Sequence, residues 1–253
     1  MHGFTLAELA VVLVIVAFLL GALIVPLNAQ MEARNIASTR ATLATVQDAL
    51  LGFAAANERL PCPASSSSNG LESFCTNATG TCTVSTALPT SSGAPWRCSN
   101  PRDGFVPAAT LGLSPTDTSG YLLDGWNNRV RYAVVDVSAL LAGNTRFVFT
   151  APKGMQQRTL SSLATDPNLR ICANSGCSTV LASAAVAVLL SQGRNGATAA
   201  AGSDELENLD GDTDFVSHEP TAATAAGGEF DDIVTWLSPN TLYNRMIAAG
   251  RLP

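Results

Sequence analysis

The stretch that decides the fold stands at the beginning of the chain and reads Gly3-Phe4-Thr5-Leu6-Ala7-Glu8-Leu9-Ala10-Val11-Val12-Leu13-Val14-Ile15-Val16-Ala17-Phe18-Leu19-Leu20. The apolar run that opens here reaches Val25 without a further polar residue. Its length lies at the short end of the ~20 residues that a transmembrane helix needs. Glu8 is the one charge in it, and an unpaired charge in a bilayer costs roughly 2.5–3.5 kcal/mol even on lenient insertion scales. Glu8 is therefore expected to need a cationic partner.

The helix is expected to continue beyond this run. Apolar residues that share one helical stripe follow it, namely Ile36, Leu43, Val46, Leu50 and Phe53. A helix from Phe4 to about Asn57 would be roughly 80 Å long. We expect residues 4–27 to lie in a membrane or a fibre core, residues 28–57 to form an amphipathic extension, and residues 58–253 to form a globular head.

The head shows strand patterns separated by turn residues. Strands are predicted at Val130–Val134, Arg146–Thr150, Leu169–Cys172, Ala184–Leu190 and Glu229–Trp236, and a short helix is predicted between Ser238 and Gly250. A long segment rich in Ser, Thr, Pro, Gly and Cys, residues 61–103, is expected to be an irregular loop. The predicted fold class is α+β, a long N-terminal α-helix, membrane-spanning in its first half, packed on an antiparallel β-sheet.

The N-terminal pattern Gly-Phe-Thr-Leu-x-Glu before an apolar helix resembles the beginning of type IV pilins and type II secretion pseudopilins. The resemblance implies a pilin-like fold and cleavage by prepilin peptidase between Gly3 and Phe4, with methylation of the new N-terminal Phe4. It also implies that Glu8 pairs with the Phe4 amine of a neighbouring subunit during fibre assembly. The leader would be residues 1–3, which lack the basic residues usual in the family. A secretory signal peptide or a plain anchor is the competing interpretation, and neither requires Glu8.

The resemblance implies a structural subunit of a type IV pilus or of a type II secretion pseudopilus, and the sequence leaves these two open. Its implied partners are identical or related pilin subunits, the prepilin peptidase, the inner-membrane assembly platform and the membrane. The implied location is a single pass through the inner membrane with a periplasmic or extracellular head. The alternative function is a minor or tip pilin that acts as an adhesin or ligand-binding module.

One segment of the head carries a further resemblance. Asp124-Gly125-Trp126-Asn127-Asn128-Arg129-Val130-Arg131-Tyr132 resembles the Asp-x-Trp-Gly-Asn stretch of major pseudopilins. Asn127 stands where the family has Gly. Because Asn tolerates positive φ better than most residues, we expect the turn to be kept.

The same resemblance implies a calcium site. Ser191-Gln192-Gly193-Arg194-Asn195-Gly196 and Asp232-Ile233 look like its two halves, although Asn195 stands where the family has Asp. Asp232 is the foremost candidate ligand, and Asp210, Asp212 and Asp214 lie in the acidic loop between the halves. An EF-hand is excluded, because Phe215 and Thr221 occupy the positions that need Gly and Glu. A calcium site and a solvated acidic loop remain the two interpretations.

The chain has six cysteines, and this even number indicates an oxidising compartment in which disulfides form. Cys172 and Cys177 enclose turn residues and are expected to pair locally. For the other four we expect Cys75 with Cys82 and Cys62 with Cys98.

Composition excludes several classes of function. The net charge of −6 argues against general nucleic-acid binding, which needs clustered Lys and Arg. The sequence has no C-x-x-C pair and only two His, so a structural zinc site is not expected. It also has no G-x-S-x-G, H-E-x-x-H or phosphate-binding glycine loop, so we do not expect an enzyme.

Overall fold

The protein is described here by a computed structural model that covers residues 5–77, 79–89, 96–141, 144–196 and 202–252. Gly3 and Phe4, the residues of the predicted cleavage site, lie outside the described residues. The first element is helix α1, Leu6–Asn57. It begins with a capping box, in which Thr5 Oγ1 accepts the Glu8 N–H and Glu8 Oε2 accepts the Thr5 N–H. It ends at Glu58, whose left-handed backbone (φ 60°) is a common way to terminate a helix.

The apolar beginning of α1 does not meet the requirement for a membrane span. Among the described residues, no helix combines the length and the apolar character needed to cross a bilayer. The prediction of a pilin-like helix whose first half, residues 4–27, spans a membrane is therefore wrong. The predicted single-pass inner-membrane location depended on that helix and is wrong as well.

The remaining elements alternate short strands with short helices. In chain order they are β1 Phe74–Cys75, β2 Val84–Ser85, β3 Gly104–Phe105, α2 Ala108–Leu111, β4 Arg131–Val134, β5 Ser138–Leu141, β6 Asn144–Phe147, a 3-10 turn Met155–Gln157, α3 Leu160–Thr165, β7 Leu169–Cys172, β8 Val180–Ala185, β9 Ala187–Ser191, α4 Ser203–Glu207, β10 Asp214–Val216, β11 Ile233–Leu237 and α5 Pro239–Ala248.

Within the described ranges these strands form four small sheets, ordered β1-β2, β5-β6, β10-β7-β8 and β11-β9-β4-β3. The four-stranded sheet is antiparallel throughout, but β10 and β7 pair in parallel. The predicted single antiparallel sheet is therefore wrong: the head is α+β, with several sheets and one parallel pair.

Two local features account for this difference. The apolar run predicted as one strand is divided at Val186, so that β8 pairs with β7 while β9 lies between β4 and β11. Val186 stays hydrogen-bonded at the break, because its N–H donates to the Leu237 carbonyl at 3.0 Å. In the parallel pair, Arg170 lies opposite Asp214 and its Nε donates to Oδ1 at 2.6 Å, an ion pair that favours this register.

The C-terminal half of α1 belongs to the core of the head. Its buried side chains recur at the spacing of one helical face: Leu43, Val46, Leu50 and Ala54. They pack in one cluster with the buried face of β9 and with Leu242 and Met246 of α5. Full burial of each large side chain contributes about 1.5–3 kcal/mol. This half of the helix is therefore fixed to the head.

The loop that resembles the pseudopilin stretch is built as expected. Asp124 Oδ1 accepts the N–H groups of Trp126 at 2.9 Å and Asn128 at 2.8 Å. Between them, Asn127 has a φ of 66°. The expectation that Asn127 allows the turn through a positive φ is confirmed.

This loop also attaches to the middle of α1. The Gly125 N–H donates to Thr39 Oγ1 at 2.9 Å, and Trp126 Nε1 donates to Glu32 Oε2 at 3.2 Å. A Cβ on Gly125 would lie 2.5 Å from the Asn35 carbonyl oxygen. Glycine is therefore required here for the close approach of the two backbones.

Three disulfides hold the loops of the head. They join Cys62 to Cys98, Cys75 to Cys82 and Cys172 to Cys177, the same pairs that the sequence analysis expects. The first two lie within residues 61–103, where β1 and β2 add a short hairpin to the predicted irregular loop.

Candidate functional site

The beginning of α1 carries most of the exposed large apolar side chains among the described residues. Large side chains from Val11 to Val16 are between 43% and 65% exposed, and Leu6 and Phe18 are more exposed still. Because these residues are consecutive, they cover every side of the helix. A helix that is apolar all round is normally buried on all sides, so the chain alone leaves this surface without its cover.

Glu8 is the charged side chain of this surface. Its Oε2 accepts both the N–H and the hydroxyl of Thr5 at 2.8 Å. These hydrogen bonds, the backbone one first, lower the pKa of Glu8 below its usual value. The carboxylate is therefore ionised at neutral pH and lies in the first turn, where the helix dipole favours a negative charge. Its pairing with the Phe4 amine of a neighbour stays a prediction.

A second candidate site is a cluster of three carboxylates in the head, formed by Glu205, Asp231 and Asp232, which we call the acidic cluster. One oxygen of each lies within 4.8 Å of the others. Glu205 is on α4, and the two aspartates directly precede β11. Glu205 and Asp232 are buried, at 1% and 7% exposure, and Asp231 is half-buried.

Neighbouring amides orient the acidic cluster. Asn195 Nδ2 donates to both oxygens of Glu205 at 2.9 Å, and the Asp231 N–H donates to Glu205 Oε1 at 3.0 Å. Asp232 Oδ2 accepts from Asn208 Nδ2 at 2.7 Å. The segment around Asn195 and the start of β11 are thereby held against α4.

Burial and mutual repulsion change the titration of these groups. Burial first, and then the nearby negative charge of Glu205, raise the pKa of Asp231 to about 6. Burial likewise raises the pKa of Asp232 to about 7, with Glu205 and Asp231 as additional negative neighbours. Near neutral pH the acidic cluster therefore favours a proton or another positive charge.

One oxygen of the acidic cluster is unsatisfied. Asp231 Oδ1 is buried and finds no hydrogen-bond partner among the described residues. Asp231 Oδ2, in contrast, accepts the backbone N–H groups of Arg194 and Asn195 at 3.1 and 3.3 Å. A Cβ on Gly193 (φ 60°) would collide with the Asp231 carboxylate, so glycine is required beside it. A buried acceptor without a partner is costly, and a cation or a hydrogen-bond donor placed against it would remove that cost.

The structure separates the calcium ligands that the sequence predicted. Asp232 belongs to the acidic cluster, and Asn195 donates to Glu205 of that cluster. Asp210 and Asp212 belong to a different, exposed group with Glu207. Asp214 pairs with Arg170 across β7 and β10.

Glu205 and Asp231 are the residues that sequence reasoning missed. Asp231 neighbours Asp232 and would point to the opposite face of a regular strand. Because β11 starts only at Ile233, both aspartates precede it and reach the same cluster. Glu205 carried a weak signal as one acid of the run Asp204-Glu205-Leu206-Glu207.

Comparison with known proteins adds no assignment. No protein-family model matches this chain, and no curated protein or solved structure matches it.

Proposed function

We propose that this chain is a structural subunit of a helical fibre of the type IV pilus or type II secretion pseudopilus class, and that its copies associate through the beginning of α1. The observation that carries the proposal is the apolar surface that surrounds the helix from Leu6 to Leu19. A single partner would cover one side of such a helix. Several copies of the same helix, packed around one another, cover all sides.

The attachment of α1 to the head favours an open assembly. The C-terminal half of α1 is buried in the head of its own chain, so each copy offers a projecting helix and a separate globular surface. Contacts between different surfaces of identical subunits continue from copy to copy and produce helical fibres unless they close into a ring.

Processing and Glu8 complete the proposal. Cleavage by prepilin peptidase between Gly3 and Phe4 would create a new amine close to the start of α1. In a core of apolar helices, an isolated Glu8 carboxylate and an isolated amine are each costly, and pairing between neighbouring copies removes both costs. Glu8 then fixes the axial position of one subunit against the next.

The test is assembly of Glu8→Ala in cells that contain prepilin peptidase. We expect the variant to be cleaved, to start with N-methylated Phe4 in mass spectrometry, and to form no fibres in electron microscopy. Asp48→Ala is the matched control, because Asp48 is an exposed acid elsewhere on α1. Normal fibres from Glu8→Ala, or a fibre subunit that still starts at Met1, would contradict the proposal.

We also propose that the acidic cluster holds calcium. Its donors are all oxygens, which suit a hard cation that takes six to eight oxygen ligands. The unsatisfied Asp231 Oδ1 and the raised pKa values of Asp231 and Asp232 support a positively charged occupant.

Thermal unfolding of the full chain tests the calcium proposal. At a hundredfold excess over its dissociation constant, a bound ion stabilises the native state by about 2.7 kcal/mol. Calcium should therefore raise the melting temperature of chelator-treated protein, and Asp232→Ala should abolish the shift. Asp212→Ala, in the exposed acidic group, should keep it. Equal melting of the wild type in calcium and in chelator would contradict the site.

A further inference from the structure

A cleft of about 840 Å³ lies between α1 and the outer edge of β11. Its volume is within the range of ligand sites in proteins. Apolar side chains line it from three parts of the fold: Ile36 and Leu43 on α1, Trp126 in the loop before β4, and Leu181 on β8. Residues 217–220 and 231–235 also line it. The cleft therefore runs beside the first residues of β11.

The outer edge of β11 faces α1. β11 ends the order β11-β9-β4-β3, and no strand of the described residues pairs with its other side. Gln47 Nε2 on α1 donates to the Trp236 carbonyl at 3.0 Å, so the polar groups of Trp236 face away from β9. Because the direction of backbone polar groups alternates along a strand, Val234 presents its N–H and C=O to the cleft.

The charge of the cleft is negative. Glu32, Glu219, Asp231 and Asp232 line it, against Arg40 and His218. His218 lies 3.2 Å from the Asp204 carboxylate and is engaged there. A calcium ion on Asp231 and Asp232 would leave Glu32 and Glu219 as the acids of the cleft. Its surface therefore complements a basic occupant with or without that ion.

We propose that this cleft binds an extended basic segment of a partner polypeptide, which adds to the edge of β11 as a further strand. Backbone hydrogen bonds to Val234 provide the pairing, apolar side chains of the segment face Ile36 and Trp126, and its Lys or Arg side chains meet Glu32 and Glu219. A second copy of this chain is the less suitable occupant, because it has the same net charge of −6. The proposal is independent of fibre formation, which uses the beginning of α1.

The test uses the full chain in chelator and a fluorescent peptide of about eight residues that alternates valine and lysine, a usual length for a strand. Fluorescence anisotropy should show saturable binding. The same peptide with N-methylated backbone amides on its pairing edge should bind roughly tenfold more weakly or worse, since it loses hydrogen bonds. A valine–glutamate peptide should not bind.

Two variants locate the binding. Val234→Pro removes the outward N–H at an edge where proline is tolerated and should weaken binding about tenfold. The double change E32Q/E219Q should also weaken binding of the basic peptide, and Glu207→Gln, outside the cleft, should not. The N-methylated peptide keeps the test valid if Val234→Pro does not fold.

Three results would overturn the proposal. The first is no saturable binding of the valine–lysine peptide, and the second is equal binding of its N-methylated form. The third is self-association of the chain in analytical ultracentrifugation that is abolished by Val234→Pro. That result would assign the cleft to a second copy of the chain.

Discussion

At the residue scale, a buried ion pair supports the junction between α1 and the head. Arg59 and Glu72 form two hydrogen bonds, at 2.6 and 2.9 Å, and their side chains are 5% and 4% exposed. Glu72 Oε2 also accepts the Cys62 N–H at 2.8 Å. The guanidinium lies over the Trp96 ring at 4.7 Å. Removal of one partner would leave the other charge buried without compensation.

Glu72→Ala is therefore expected to lower the free energy of unfolding by about 3–5 kcal/mol, as found for broken buried ion pairs. Asp136→Ala is the control, because it breaks the more exposed pair with Arg102 and should cost less than about 1 kcal/mol. Urea unfolding followed by circular dichroism, with the disulfides intact, measures both values. Similar losses for the two variants would contradict the importance of the buried pair.

The acidic cluster predicts a pH dependence of stability in the absence of metal. Asp231 and Asp232 have pKa values raised to about 6 and 7, so between about pH 4 and pH 7 the folded chain binds more protons than the unfolded chain. When the folded chain binds more protons than the unfolded chain, the free energy of unfolding falls as the pH rises. The fall is up to ~1.4 kcal/mol per pH unit for each of the two aspartates. Chelator-treated protein should therefore unfold at a higher temperature at pH 5 than at pH 7.5.

The double variant D231N/D232N is the control for this predicted pH dependence of stability. It keeps acceptors of similar shape and removes both titrating groups, so its melting temperature should vary less between the two pH values. If the wild type and the variant show the same pH dependence, other carboxylates are responsible.

Some residue-level features could be predicted from the sequence and others could not. Asn127 was predictable because positive φ is a property of one residue in a turn. Cys172 and Cys177 were predictable because few residues separate them. Glu205 was not, because its position against Asp231 depends on how α4 packs on the start of β11, and no local pattern specifies that contact.

At the scale of elements, α1 combines two surfaces with different roles. Leu50 is 1% exposed within the head core, and Leu13 is 65% exposed on the projecting part. Truncation of the first creates a cavity in a packed core, and truncation of the second removes only exposed surface in the single chain.

Leu50→Ala should therefore lower the free energy of unfolding of the head by about 2–5 kcal/mol. Leu13→Ala should change it by less than about 0.5 kcal/mol but should reduce self-association. Denaturant unfolding gives the first quantity, and sedimentation at increasing protein concentration gives the second. If Leu13→Ala leaves association unchanged, the projecting surface is not the contact between copies.

Element positions were easier to predict than element pairings. The strands near Arg131–Val134, Leu169–Cys172 and Ile233–Leu237 lie close to the predicted segments, because the local pattern of side chains determines them. The division of one apolar run at Val186 and the parallel pairing of β7 with β10 depend on distant residues. The failed membrane prediction shows the same limit, since an apolar run specifies that a surface must be covered and does not specify by what.

At the scale of the whole molecule, the described core belongs entirely to the head. Among the described side chains of α1, the first buried one is Thr39, and the three disulfides all lie beyond residue 61. The residues before this part are mostly exposed where their side chains are described. Folding and association should therefore be separable by shortening the chain.

A variant that starts at Met31 tests this separation. It keeps Glu32 and every side chain of α1 that is described as buried, so it should fold with three disulfides. Its melting temperature should lie within about 4 °C of that of the full chain, a shift equivalent to at most ~1–2 kcal/mol. It should also stay monomeric in sedimentation at concentrations where the full chain associates, because the apolar surface from Leu6 to Leu19 is gone. Disulfide mapping by mass spectrometry checks the fold. An association constant equal to that of the full chain would place the contact between copies on the head and would contradict assembly through α1.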